Sequence, residues 1–89
     1  MIINHLKKED KMIKAKLQSI GNKISKIYCV PNPIIERKNA EGNKASGYEI
    51  RTELPSYEGG DMLQAEIKKV FPDYIPENQG GCIYFVYRP

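Results

Sequence analysis

Eighty-nine residues, 40% hydrophobic and 28% charged, suffice for one small domain with a modest core and are too apolar for a wholly disordered chain. The longest uncharged apolar run, Ile27 to Ile35, is broken by Pro31 and Pro33 and is far short of a membrane span, while Lys7 and Lys8 arrive too early for a signal peptide. The net charge of +3 is unevenly spread: residues 1–51 hold eleven Lys/Arg against five acids and residues 52–89 three against six, a polarity that draws anionic partners to the first half.

Asn4 to Ile20 predicts an amphipathic helix. Leu6, Ile13, Leu17 and Ile20 share one arc at about 100° per residue, with Ile3 and Asp10 at its edge. Asn4 is a candidate N-cap, residues 1–5 are expected to fray, and Gly21-Asn22 reads as the stop. A competing reading makes residues 12–20 a strand hairpinned through Gly21-Asn22, but its Lys-Ala-Lys segment is poor strand material. The β-branched and aromatic Ile24 to Val30 then predicts a first strand, ended by Pro31-Asn32-Pro33.

Ile34 to Lys38 and Gly47 to Leu54 predict two arms of a hairpin, with Gly42-Asn43 in the connection. Tyr48, Ile50 and Thr52 alternate with Glu49, Arg51 and Glu53, as in a half-buried strand. Gly-Asn-Lys-x-Ser occurs at 21–25 and 42–46 and reads as turn chemistry used twice. Asp61 to Phe71 predicts a second helix with Met62, Leu63, Ile67, Val70 and Phe71 on its apolar face, stopped by Pro72. Asp73 to Gly81 reads as a loop. Cys82 to Tyr87, apolar on both faces, predicts a strand central in a sheet or at an interface.

The expected fold is therefore a single α+β domain over residues 1–89. Its order would be α-β-β-β-α-β, with a mainly antiparallel sheet and helices on one face. The run of helix, three strands and helix resembles the order of the double-stranded-RNA-binding domain. That family carries lysines where its second helix meets RNA, whereas this helix opens Gly59-Gly60-Asp61-Met62, so no membership follows.

Lys7, Lys11 and Lys14, spaced i, i+4, i+7, line one side of the first helix, and Asp10 offsets Lys14 in part. Lys23, Lys26, Arg37, Lys38, Lys44 and Arg51 extend the cationic half. Together they predict a patch for phosphate contacts, with Arg37 and Arg51 able to form bidentate ones. Tyr28 and Tyr48 lie within basic segments and are candidate base-stacking residues.

Cys29 and Cys82 read as small hydrophobes on strands. With His5 alone, no metal site is expected and no cofactor is implied. No catalytic spacing or phosphate-cradling loop is present, so the expectation is a non-enzyme.

The leading functional expectation is a small cytoplasmic nucleic-acid-binding protein, with RNA favoured over DNA. The alternative is an inhibitor or accessory factor that docks a host protein or ribonucleoprotein. The Ile-, Lys- and Asn-rich composition, typical of AT-rich phage genomes, motivates it. A homodimer would enlarge the small core.

Overall fold

The computed structural model describes residues 2–38, 46–55 and 57–88, and in the first helix it describes side chains from Glu9 onward. The order is α1 (Ile2–Ile27), β1 (Ile34–Lys38), β2 (Gly47–Arg51), α2 (Glu58–Val70), β3 (Ile75–Gly80) and β4 (Ile83–Tyr87). The α+β class holds, with two helices on one face of a four-stranded antiparallel sheet ordered β1-β2-β4-β3. The element order is corrected to α-β-β-α-β-β.

The first correction lies in α1. The helix runs through Gly21-Asn22, so Ile24 to Val30 is the end of a helix rather than a strand, and the likeness to the RNA-binding domain lapses. The core stripe continues at helical spacing: Leu17, Gly21, Ile24 and Ser25 are buried, while Ile13, Ile20 and Tyr28 are partly so. Gly21 is a packing notch. Any Cβ there would overlap the Pro33 ring, which lies against the helix backbone.

The helix ends in a Schellman-type cap, where Val30 N–H donates to the Ser25 carbonyl at 3.0 Å and Cys29 N–H to the Lys26 carbonyl at 3.3 Å. Cys29 holds the left-handed position of that cap at φ 55°. Cys29 and Cys82 are both exposed and unbridged, one in this cap and one in a turn, which corrects their reading as strand hydrophobes.

The hairpin arms form as expected, β1 with the same bounds and β2 three residues shorter. Their connection, including Gly42-Asn43 and Lys44, lies outside the described residues. Antiparallel register gives two helix-facing rows: Ile35, Ile50, Tyr84 and Asn78, then Arg37, Tyr48, Val86 and Pro76. Ile35, Ile50, Tyr84, Tyr48 and Val86 in these rows are buried against Leu17, Ile24, Leu63 and Ile67.

The second helix starts at Glu58, three residues before the predicted start. Gly59 and Gly60 belong to it and are buried against Leu54 and the Tyr84 hydroxyl, where Cβ atoms would collide. The last correction is β3, which occupies part of the segment read as a loop. It is an edge strand, the place in a sheet where a proline such as Pro76 is tolerated. Its turn into β4 uses Gly80 (φ 122°) and Gly81 (φ 57°), and Asn78 Oδ1 accepts from Gly80 N–H at 3.0 Å. β4 is central, as its two apolar faces predict.

Candidate nucleic-acid interface

The cationic groups of the first half separate into two sets. On the hairpin, each described cation meets a carboxylate. Arg37 Nη1 lies 2.9 Å from Asp10 Oδ1, Lys38 Nζ 3.7 Å from Glu36 Oε2, and Arg51 Nε 2.7 Å from Glu49 Oε1. Lys38 and Arg51 sit on the sheet face away from the helices, whereas Arg37 sits on the helix side. The expected single patch joining helix and hairpin arms is thus divided between two sides of the sheet.

Asp10 organises the helix-side group. Its Oδ1 also accepts from the Tyr48 hydroxyl at 2.7 Å, and the Arg37 guanidinium lies 5.5 Å from the centre of the Tyr48 ring. Tyr48 is 2% exposed, so its ring is a core element and offers no stacking surface. Burial first, and then the bond to Asp10, push its phenol well above the ordinary range. This cluster ties α1 to the hairpin. Tyr28 is half-buried at the end of α1, packed on the core.

The second set is on α1. Lys11, Lys14, Lys16, Lys23 and Lys26 are all exposed, and among the described residues none pairs with a carboxylate. Glu9 and Asp10 are the only acids between residues 9 and 27, and Asp10 is committed to Arg37 and Tyr48. Lys7 lies in the opening turns, before the described side chains.

Lys11, Lys14, Ala15 and Gln18 line an open hollow of about 280 Å³, large enough for a phosphodiester group. Gln18 is held at its rim by donating to Asn22 Oδ1 at 2.9 Å and to the Pro33 carbonyl at 2.8 Å. Lys16 is the residue that sequence reasoning missed. It lies on the opposite flank, with its ammonium 6.0 Å from the Phe71 ring centre. Lys16 lies within the helix read from the sequence, and plotting every lysine on that helix would have found it.

The other face of the sheet is uncovered by either helix. Ile34 is 60% exposed there, Ile83 is also exposed, and Phe85 stacks on Tyr87 with centroids 5.4 Å apart. Glu36, Glu49 and Glu77 cross it in one row with Phe85. Its aromatic rings therefore lie among carboxylates, an unfavourable setting for a polyanion.

Among the described residues no His, Cys, Asp or Glu cluster could hold a metal ion, and no helix is long and apolar enough to cross a membrane. The fold and its surfaces define a small α+β domain with a lysine-rich helix on one side and an open sheet on the other. No protein-family model, curated protein or solved structure matches this chain.

Proposed function

We propose that this chain is a non-catalytic nucleic-acid-binding protein that holds the phosphate backbone with α1. The observation that carries the reading is that five exposed lysines of that helix stand without carboxylate partners among the described residues. Ammonium groups of this kind release counterions from a phosphate chain, so binding should weaken steeply as salt rises.

The hairpin cations contribute little, because each would have to leave an acid before meeting a phosphate. Fluorescence anisotropy with labelled nucleic acid at low and physiological salt tests the reading. K11Q/K14Q should lower affinity about tenfold or more, at roughly 0.9 released counterions per contact, while K38Q/R51Q should leave it nearly unchanged. Affinity that ignores salt, or that falls only in K38Q/R51Q, removes the reading.

A second reading is a protein-binding inhibitor or accessory factor. The open sheet face favours it, because exposed Ile34 and Ile83 beside a stacked aromatic pair suit a protein surface with cationic groups opposite Glu36, Glu49 and Glu77. Recovery of a single protein in a pull-down after nuclease treatment, lost on Phe85→Asp, would give this reading precedence.

A further inference from the structure

We infer that α1 seats lengthwise in the major groove of duplex DNA, a step that rests on the phosphate-binding reading above and specifies its ligand. The placement of the lysines carries it. At about 100° per residue, the line pointing straight away from the core passes between Ala15 and Ser19 and through Lys26. Lys11 lies about 60° to one side of that line and Lys23 and Lys16 about 60–80° to the other, all exposed. Lys14 is set farther round on the Lys11 side, beside the buried stripe.

A ligand carrying charge along one edge would engage a single flank. A groove has phosphates on both walls and engages both. Ala15 and Ser19 at the middle of the ridge are short, so the helix backbone can approach between the walls there. Met12 and Lys26, exposed on the same ridge, reach toward the groove floor. The major groove of B-form DNA, about 12 Å wide, admits an α-helix of about 10–12 Å diameter. The helix is also long enough: its 26 residues span about 39 Å.

The competing ligands fit less well. A single strand is held by stacking its bases on aromatic rings. Tyr48 and Tyr84 are buried, Tyr28, Phe71 and Tyr74 are half-buried, and the stacked Phe85 and Tyr87 lie on the opposite face among glutamates. That leaves Tyr57, before α2, as a single well-exposed ring rather than a stacking platform. Duplex RNA has a deep, narrow major groove that a helix cannot enter. Contacts made by lysines to phosphates also carry no base code, so sequence preference should be weak.

The test compares a short mixed-sequence DNA duplex, one of its strands and the matching RNA duplex at low salt. Duplex DNA should bind at least about tenfold more tightly than either competitor. K11Q and K23Q, one from each flank, should each weaken duplex binding and lower the salt slope by about 0.9. Ser19→Trp, which adds bulk on the ridge without charge, should weaken the DNA duplex and spare the single strand. Circular dichroism confirms that each variant remains folded.

Equal affinity for single strand and duplex, preference for the RNA duplex, or indifference to K23Q overturns the groove assignment and leaves phosphate binding standing. Failure to bind any of the three at low salt overturns both.

Discussion

Cys29 occupies a backbone conformation that glycine adopts without steric conflict. A side chain in the left-handed region costs about 1–2 kcal/mol, and the greater freedom of glycine in the unfolded chain returns roughly half of that. Cys29→Gly should therefore raise stability by about 0.5–1 kcal/mol, seen as a higher urea midpoint at constant slope. A lower midpoint would mean that the thiol makes a contact outweighing the strain.

Tyr48 sets an alkaline limit of its own. Its phenol is raised above the ordinary 10.0 mainly by burial, so the native state keeps a proton that the unfolded chain releases. The associated stability is intact below pH 10 and is lost as pH rises further. Tyr84, raised by burial, and Tyr87, raised chiefly by its hydrogen bond to Glu77, act in the same direction. Tyr48→Phe should flatten the loss of stability above pH 10 in denaturation measurements. An unaltered slope would exclude Tyr48 as the source.

At the level of elements, Gly21 is the instructive position. In a helix interior glycine is about 1 kcal/mol worse than alanine, so propensity alone predicts that Gly21→Ala stabilises the protein. The ring of Pro33 occupies the space a methyl group would need. Overpacking of this kind typically costs about 1–3 kcal/mol, so Gly21→Ala should lower the thermal midpoint. A rise would show that Pro33 moves aside freely.

The same residue explains what was legible in the sequence. Leu17, Ile20, Ile24 and Tyr28 carry the helical period past position 21. Gly-Asn looks like a stop only when the partner filling the notch is unknown. The strands β1, β2 and β4 were legible because their alternation or continuous apolarity reflects burial. β3 was not, since Ile-Pro-Glu-Asn-Gln-Gly has turn composition and becomes a strand only by pairing with β4.

Over the whole molecule, the surface is not divided along the line that splits the charge in the sequence. Arg37 and Asp10 are 27 positions apart yet share a salt bridge, and Arg51 and Lys38 each face an acid two residues away on the same strand. Charge counting sees the sum of such groups and not their pairing. Lys11 and Lys14 were legible as neighbours on the first helix because a helix places them by a fixed rotation, whereas Lys23 and Lys26 were read beyond its end. The hairpin cations were not legible in this way, because their neighbours depend on register and on which elements meet.

The order of the strands also bears on how the protein is made. β4 joins β2 to β3, yet it is the last of the four to leave the ribosome. Until residues 83–87 emerge, the β1–β2 hairpin has no inner neighbour and the nascent chain exposes Tyr48 and Ile50 beside an empty lane. The sheet can therefore close only once that strand has emerged, and translation stalled short of it should yield a chain suited to chaperones or proteases.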